Sequence, residues 1–328
     1  MDQVAIRWGI ISTGNIANKF VKDLGLVEGG QAYAVASRSL DKAKAFAANY
    51  HMEKAYSSYQ ELMQDPKVDI IYIGTPHDSH ADLTIQCLKA GKPVLCEKPL
   101  AVNKTQVQSI IDAANENKTF VMEAFWSRFN PSIEKVYALI QEGALGDVNY
   151  LNVDFTFLRN DSPESRLLNL DLAGGALLDM GVYPIFLSYL IFGYPNKILA
   201  LGRFHETGAD IQTGILFKYD NGIANLMTGF ESRSDLVAKI YGTDGSIFLN
   251  EPWHEAQSFQ LKKGGKIQTF DLPTKGKGFT YEIEECHGCL KAGVIESSKW
   301  SHQNSLDLIS ITDKVRSQLG LVYPFEKD

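Results

Sequence analysis

The residues best suited to catalysis lie in Val94–Leu100, where a short apolar run ends in Glu97-Lys98-Pro99. A residue before proline is pushed towards extended geometry, so no helix begins at Lys98 and the lysine lies in a loop just after a strand. In an open α/β sheet, ligands bind at the carboxyl ends of the strands. Lys98 is therefore a candidate catalytic and cofactor-binding residue, and Glu97 is a candidate cofactor contact. The alternative is an ordinary surface lysine in a strand–helix connection.

A nucleotide-binding turn is indicated near the start of the chain. Arg7–Ser12 is predicted to be a buried strand, and the residues after it turn into a helix that runs to about Leu24. A strand, a tight turn and a helix whose N-terminus can hold a pyrophosphate are typical of a Rossmann domain. The fingerprint G-x-G-x-x-G/A falls on Ser12, Gly14 and Ala17, so Ser12 departs from it at the first glycine. The predicted cofactor contacts in this turn are Ser12, Thr13, Gly14, Asn15 and Ile16.

The end of the second predicted strand, Gln31–Ser37, bears on the choice of cofactor. It falls about 20 residues beyond the glycine turn, where the ribose of the adenosine half is expected. A site for NAD has Asp or Glu there, whereas this chain has Ser37-Arg38-Ser39. A guanidinium suits a 2′-phosphate, so Ser37 and Arg38 favour NADP, with NAD as the alternative cofactor. The other interpretation of Arg38 is a solvated arginine at the start of a helix.

A third loop is predicted at the same edge of the sheet. Val68–Ile73 is a nearly continuous apolar run, as expected of a parallel strand that is buried on both faces. It ends at Gly74-Thr75-Pro76-His77, so Thr75, Pro76 and His77 are candidate cofactor contacts. His77 and His80 lie three residues apart, but no third ligand is close in sequence, and no metal site is predicted.

The order of the predicted elements indicates an α/β fold with two domains. Strands and helices alternate through the first part of the chain, which predicts a doubly wound parallel sheet. After Glu123 an aromatic segment leads into long strand-like runs, and Asn221-Gly222 is a strong hairpin signal. We therefore predict a dinucleotide-binding Rossmann domain at residues 1–124. Residues 125–328 are predicted to form an α+β domain for substrate binding and oligomerisation, with a large, mainly antiparallel, open-faced sheet.

One helix interrupts the strands of the second half and carries two reactive side chains. It is predicted in the segment Gly174–Ile185. Asp179 and Tyr183 are four residues apart, so they share a face of this helix. A carboxylate and a phenol on one face could form an acid–base relay with Lys98. The alternative is a half-buried helix with a surface aspartate and a tyrosine at its edge.

Bulk properties narrow the classes of function. The formal net charge of the 328 residues is −7 and there is no basic run, so neither nucleic acid nor a membrane is an expected partner. The first residues lack the basic and then apolar pattern of a signal peptide, and the four cysteines are few for this length. We therefore expect free thiols and a cytoplasmic location. Cys286-His287-Gly288-Cys289 has the spacing of a metal or redox pair but lacks a second pair.

Three segments together resemble a known family over essentially the whole chain. Trp8–Ala17, Glu97-Lys98-Pro99 and Gly174–Tyr183, in this order and separation, resemble the glucose–fructose oxidoreductase / inositol dehydrogenase / MocA family of NAD(P)-dependent oxidoreductases. The resemblance implies that Lys98 is catalytic, that its bond to Pro99 is cis, and that Asp179 is a site residue. Tyr183 and Glu123–Pro131 are most similar to one branch, the dimeric dihydrodiol dehydrogenases and NADP-dependent D-xylose 1-dehydrogenases. That branch prefers NADP and uses the lysine and the tyrosine together.

The resulting hypothesis is that hydride passes between NADP and a sugar, cyclic polyol or vicinal diol, or that the matching carbonyl is reduced. Tyr183 would exchange the proton at the substrate oxygen, and Lys98 would lower the pKa of that phenol or act as the acid itself. Asp179 would orient substrate hydroxyls or hold the lysine. The resemblance to that branch implies that Trp126 and Arg128 line the substrate pocket, and Phe155, in the strand-like run Asn152–Leu158, is a further expected substrate contact. We expect a homodimer or a higher homo-oligomer through the C-terminal sheet. The alternative function is a non-catalytic NADP-binding regulator on the same fold.

Overall fold

The computed structural model describes residues 5–326, and these form two compact units. The first unit runs to Trp126 and also takes in Lys275–Leu306, and the second contains Ser127–Thr274 and the chain from Asp307 onward. The domain boundary predicted between residues 124 and 125 lies close to this break. Lys275–Leu306 was assigned by that prediction to the second domain, yet it packs with the first unit. The contacts of Lys275–Leu306 with the first unit join residues that are far apart in the sequence, and no local sequence pattern encodes such contacts.

The first unit is built on a six-stranded parallel sheet with the order β3-β2-β1-β4-β5-β6. Its strands are β1 Ile6–Ile11, β2 Gly30–Ala36, β3 Lys54–Tyr56, β4 Ile70–Ile73, β5 Val94–Glu97 and β6 Val121–Ala124. The helices between them are α1 Asn15–Leu24, α2 Leu40–Asn49, α3 Tyr59–Gln64, α4 His80–Lys89 and α5 Lys104–Asn117. The order confirms the predicted doubly wound Rossmann sheet. The sequence had not predicted β3 or α3, which are short.

The second unit is built on an eight-stranded sheet with the order β14-β13-β12-β11-β7-β10-β9-β8. Its strands are β7 Val148–Thr156, β8 Lys197–Phe204, β9 Asp210–Lys218, β10 Ile223–Gly229, β11 Ala238–Gly242, β12 Gly245–Leu249, β13 Ser258–Lys263 and β14 Lys266–Asp271. The remaining helices of the chain are α6 Pro131–Gln141, α7 Val182–Phe192, α8 Thr280–Ala292 and α9 His302–Leu319. Only the β7–β10 pair is parallel among the described strands of this sheet, so the prediction of a mainly antiparallel sheet is confirmed.

Alternation of side chains gives this sheet one buried and one open face. In β10, Ala224, Leu226 and Thr228 are buried, whereas the residues that alternate with them, Ile223, Asn225 and Met227, are exposed. Period-two alternation of this kind is the mark of a sheet that packs helices on one side only. α7 contacts β7 and β10 on the buried side.

One helical stretch, Leu170–Phe192, is long and apolar enough to cross a membrane by length and composition alone. In its most apolar window 72% of the residues are buried inside the protein, which is also what the core helix of a soluble protein shows. Its turn at Leu177–Gly181 and α7 belong to the packed side of the eight-stranded sheet. The stretch is therefore weak support for a membrane span.

The returning segment is tied to the first unit by buried polar contacts. The Asp23 carboxylate accepts hydrogen bonds from the backbone N–H groups of Lys277, Gly278 and Phe279, immediately before α8 begins. The indole Nε1 of Trp8 donates to Nε2 of His287 at 3.0 Å. Since an indole N–H can only donate, His287 must accept at Nε2 and carry its proton on Nδ1.

This histidine is expected to make the stability of the protein depend on pH. Burial lowers the pKa of His287 from 6.5 to about 4. Between these values the unfolded chain binds a proton that the folded chain does not, so the free energy of unfolding falls as pH falls through this window. From pH 7 to about pH 4.5 the loss from this residue should be about 2 kcal/mol.

The measurement is urea unfolding at both pH values, for the wild type and for His287→Gln. The amide oxygen of glutamine can still accept from Trp8, but it does not titrate. The variant should therefore lose less stability than the wild type on acidification. An equal loss in the two proteins would contradict the assignment.

Candidate active site

The glycine turn adopts the predicted strand–turn–helix arrangement with an unusual backbone at its first position. Ser12, which stands where the fingerprint has glycine, has φ of +151°, a region that favours glycine. The Ser12 hydroxyl oxygen accepts a hydrogen bond from the Gly14 N–H at 3.0 Å. A side-chain hydrogen bond therefore supports the turn that glycine would make without strain. Ala17 is fully buried, as the close packing of α1 on the sheet requires.

A cavity of about 260 Å³ opens at this turn within the first unit. It brings together seven of the predicted cofactor contacts: Ser12, Thr13, Gly14, Ser37, Arg38, Thr75 and Pro76. The other lining residues are Ser39, which belongs to the Ser37-Arg38-Ser39 segment that favoured NADP, and Lys42 and Tyr59, which the sequence analysis missed. Every one of these residues is neutral or basic.

The chemistry of this lining fits the adenosine and phosphate half of NADP. Hydroxyl groups and the cations Arg38 and Lys42 suit phosphate oxygens, whereas a carboxylate would be the expected partner of an unmodified ribose. Lys42 was detectable in principle, since it lies four residues after Arg38 in the first turn of α2. Tyr59 was not detectable in the sequence, because it is the first residue of α3 and follows β3, and neither of these short elements was predicted.

The remaining predicted cofactor contacts, which include Lys98, are not among the residues that line this cavity. Asn15 and Ile16 form the start of α1. His77 is buried in the short turn after Pro76, with its ring 5.7 Å from that of His80. Glu97 ends β5 and is buried, and its Oε1 accepts a hydrogen bond from the Tyr72 hydroxyl at 2.6 Å. Their roles in cofactor binding stay predictions.

The loop that carries Lys98 is held by buried groups of the first unit. Its Lys98–Pro99 bond is cis, as the resemblance implied. The Leu100 N–H donates to Oε1 of Glu123 at 2.9 Å. Oε2 of Glu123 in turn accepts from the Trp300 indole and the Ser305 hydroxyl. Burial raises the pKa of the Glu123 and Glu97 carboxyls, and these hydrogen bonds oppose that rise.

The side chain of His80 lies between the loop of Lys98 and the loop of Thr75, which lines the cofactor cavity. The two ring nitrogens of fully buried His80 lie 2.8 Å from the Pro99 carbonyl oxygen and 2.9 Å from the Thr75 carbonyl oxygen. A carbonyl oxygen can only accept, so His80 makes both bonds only when both nitrogens carry a proton. The loop of Lys98 and the loop of Thr75 are thereby coupled.

In the second unit, Asp179 and Tyr183 lie on successive turns of one helical segment. Asp179 belongs to a wide, π-helical turn, Leu177–Gly181, and Tyr183 is the second residue of α7. Oδ1 of Asp179 accepts from both terminal nitrogens of Arg166, at 3.1 and 3.2 Å. The α-helix predicted for this segment is thus interrupted at its start, and wide turns of this kind are frequent at functional sites.

Aromatic rings surround the Tyr183 side chain. Tyr183 is buried and meets Phe155 edge to face, with ring centroids 5.1 Å apart. The His254 ring stacks on Phe155 at 4.2 Å and lies 5.5 Å from the Tyr183 ring. Phe155 was predicted as a substrate contact, whereas His254 was missed because it lies in a single 3₁₀ turn, Trp253–Glu255, which is too short for a periodic pattern.

The two other predicted substrate contacts are both packed against neighbours in their own unit. Trp126 stacks on Phe279 in the first unit, with ring centroids 4.9 Å apart. Arg128 is buried in the second unit, pairs with Glu134 and lies over the Tyr137 ring. Their contacts with substrate stay predictions.

Comparison with known proteins identifies both halves of the chain. Residues 6–125 match the family model described as "Oxidoreductase family, NAD-binding Rossmann fold", and residues 133–248 match the model of the GFO/IDH/MocA C-terminal domain. The trans-1,2-dihydrobenzene-1,2-diol dehydrogenase of Xenopus tropicalis is 38% identical over 334 residues, which cover 98% of this chain and 100% of the relative. The human enzyme of the same name is 36% identical over 338 residues, with 99% and 100% covered.

Solved structures agree with these matches. A 3-ketoreductase from Actinomadura kijaniata in complex with NADP and TDP-benzene superposes with a TM-score of 0.86 at 26% identity, covering 96% of this chain and 98% of that one. An aldose–aldose oxidoreductase from Caulobacter crescentus has a TM-score of 0.87 at 20% identity, covering 96% and 97%, and supports the fold alone. The named relatives are dehydrogenases and reductases, which supports catalysis over the regulatory alternative. The chain therefore belongs to the GFO/IDH/MocA family of NAD(P)-dependent oxidoreductases, as the three spaced segments of its sequence indicated.

Proposed function

We propose that the enzyme transfers a hydride between NADP and the carbinol carbon of a sugar, cyclic polyol or vicinal diol, or reduces the matching carbonyl. The observation that carries the choice of cofactor is the cavity at the glycine turn, whose lining is neutral or basic and includes Arg38 and Lys42. The proposed class of substrate, a hydroxyl compound or the matching carbonyl, is supported by the names of two relatives, a trans-1,2-dihydrobenzene-1,2-diol dehydrogenase and a 3-ketoreductase. When bound, NADP supplies the hydride acceptor or donor.

The roles proposed for the side chains follow from their chemistry. Tyr183 exchanges the proton at the substrate oxygen, since a buried phenol can donate or accept it. The ammonium of Lys98 favours the ionised form of that phenol, or is the acid itself. Asp179 accepts hydrogen bonds from substrate hydroxyls or holds the lysine. Trp126, Arg128 and Phe155 are proposed substrate contacts.

The test is turnover of the purified protein with NADP⁺ or NAD⁺ against a panel of aldoses, inositols and cyclic vicinal diols. We expect absorbance of the reduced nicotinamide to appear with at least one class, and kcat/KM to be higher with NADP⁺ than with NAD⁺. Tight NADP binding without turnover across the panel, in either direction, would contradict the proposal and favour the regulatory alternative.

We propose further that the open face of the eight-stranded sheet joins two copies of the chain. Exposed apolar side chains cluster on three neighbouring strands of this face: Leu199, Leu201, Leu216, Ile223 and Met227. Leu201 is 85% exposed. A contiguous apolar patch on a sheet face is typical of a protein interface.

Leu201→Glu is therefore expected to convert the oligomer to monomers, because it buries a charge in the proposed interface. Light scattering after gel filtration measures the mass. The control is Leu26→Glu, which charges an exposed leucine of the first unit and should leave the mass unchanged. A wild type that is already monomeric would contradict the proposed interface.

We propose a cytoplasmic location, which cell fractionation can test. It is supported by the four cysteines, which are all free and buried. Free buried thiols suit a reducing compartment.

A further inference from the structure

Asp210 is a buried carboxylate that the sequence analysis did not select. It is the first residue of β9 and has no exposed surface. Its Oδ2 accepts hydrogen bonds from the backbone N–H of Leu177 at 2.8 Å and from the Thr213 hydroxyl at 3.2 Å. Leu177 opens the wide turn that contains Asp179. Asp210 therefore contacts the helical segment of the proposed catalytic side chains at its first residue.

The start of a helix needs an acceptor for its first N–H groups, and this helix obtains one from a distant strand. The preceding residue, Ala176, has no side chain that can cap the turn. In most helices a Ser, Thr, Asp or Asn at that position satisfies one of these donors. Here the Asp210 carboxylate caps the helix by accepting a hydrogen bond from the Leu177 N–H, and its negative charge also complements the positive end of the helix dipole.

The two glycines before the turn make room for this arrangement. Gly175 has φ of +132°, and a Cβ built on it would lie 2.1 Å from Oδ1 of Asp210. A Cβ on Gly174 would lie 2.7 Å from the Arg166 carbonyl oxygen. Any larger residue at position 175 would therefore push Asp210 away from Leu177. The Gly174-Gly175 pair of the family resemblance thus has a physical explanation in this chain.

We propose that Asp210 is a positioning residue for the reaction: its ionised carboxylate caps the wide turn and thereby sets the orientation of Asp179 and Tyr183. This inference rests on the roles proposed above for those two side chains. The hydrogen bond inside this turn from the backbone nitrogen of Asp179 to the Gly175 carbonyl oxygen is long, at 3.4 Å, and is therefore weak. The cap supplied from β9 is therefore important for holding this turn.

The charge of Asp210 is sensitive to mild acid. Complete burial raises its pKa from 3.8 to about 6, although the hydrogen bonds from Leu177 and Thr213 oppose the rise. Oδ1 has no hydrogen-bond partner among residues 5–326, which adds to the cost of the charge. From the C-terminal segment the buried Tyr323 interacts with it electrostatically. The charged groups that interact with Tyr323 are Arg316 and Glu326.

Protonation is expected to weaken the cap, because a neutral carboxyl is a poorer acceptor than a carboxylate. Below about pH 6 the wide turn should therefore open more readily, and kcat should fall as Asp179 and Tyr183 lose their alignment. NADP affinity should have the same pH dependence in the wild type and in Asp210→Asn, because the cofactor cavity is lined by residues of the first unit and Asp210 belongs to the second.

The experiment compares the pH dependence of kcat in the wild type and in Asp210→Asn. Asparagine has the same shape and can still accept from Leu177, but it does not titrate. We expect kcat of the variant at neutral pH to be about tenfold lower, because a neutral amide oxygen is a weaker acceptor than a carboxylate, with an unchanged Kd for NADP. The decline of kcat near pH 6 should disappear. Asp220→Asn, at an exposed turn of the same unit, is the matched control and should keep the wild-type profile.

Hydrogen exchange provides a readout that does not depend on activity. In the wild type the amides of Leu177 and Leu178 should exchange faster, after correction for intrinsic rates, below about pH 6 than above it. Those of α5, which is capped by the non-titrating Asn103, should not. This comparison needs no variant to fold.

An Asp210→Asn profile that keeps the decline near pH 6, or exchange at Leu177 that does not respond to pH, would overturn the inference. Absence of turnover in the wild type would instead contradict the proposed function, and the exchange data would still test the cap.

Discussion

Lys98→Met is expected to lower kcat about a thousandfold, with a smaller change in the KM of the substrate, because general acid–base catalysis contributes roughly 10²- to 10⁴-fold. Methionine keeps the length of the side chain but removes the ammonium, so neither a charge that favours an ionised phenol nor a proton donor remains. The loop should persist, because its hydrogen bonds to Glu123 and His80 are made by the backbone of Leu100 and Pro99. Steady-state kcat, followed by absorbance of the reduced nicotinamide, measures the effect.

Tyr183→Phe tests whether the lysine and the tyrosine act as one unit. The single variant should show a loss similar to that of Lys98→Met, and the double variant should be little worse than either, since residues that act together are non-additive. Titration of nicotinamide fluorescence checks that each variant still binds NADP. Undiminished turnover in either single variant would remove the role proposed for that residue.

Arg38→Ala is expected to raise the Kd of NADP about thirtyfold while changing the Kd of NAD little. A hydrogen bond to a charged group is worth about 1.5–3 kcal/mol, and the guanidinium is the planar donor in the cavity lining. Lys42→Ala should have a smaller effect, about fivefold, because both side chains are exposed but an ammonium is a point charge that cannot make the bidentate contact of a guanidinium. Fluorescence titration measures the dissociation constants of NADP and NAD for each of the two variants.

Lys44→Ala is the matched control for these variants. Lys44 is an exposed lysine of α2, like Lys42, but it is not among the lining residues of the cavity. Its loss should leave both dissociation constants unchanged. Equal weakening of NADP and NAD binding by Arg38→Ala would contradict recognition of the 2′-phosphate by this residue.

Much of the first unit was predictable because its strands carry their own signal. β1, β4 and β5 are short apolar runs that end in loops of glycine, proline or charged residues, as parallel strands buried on both faces require. The hairpin at Asn221-Gly222 was likewise predictable, and it joins β9 to β10 as expected. Strand β13 was missed although Phe259 and Leu261 alternate with polar residues, so its signal was present in the sequence.

The parts of the candidate site that were not predicted depend on contacts between distant segments. Asp210 caps a turn that lies 33 positions earlier in the chain, and no local pattern marks such a partner. Tyr59 reaches the cofactor cavity only because a strand of three residues, too short for a periodic pattern, precedes it. Ser12 was recognised as a departure from the fingerprint, but its positive φ and its bond to Gly14 required coordinates.

The return of Lys275–Leu306 to the first unit has a consequence for biosynthesis. A ribosome releases the chain from its N-terminus, so Trp8, Asp23 and Glu123 emerge long before the partners that satisfy their buried polar groups. We therefore expect the nascent Rossmann half to stay incompletely folded until Leu306 has been translated, and to depend on chaperones over that interval. For the same reason a nonsense mutation after Thr274 would spare every lining residue of the cofactor cavity and still damage the unit that holds it.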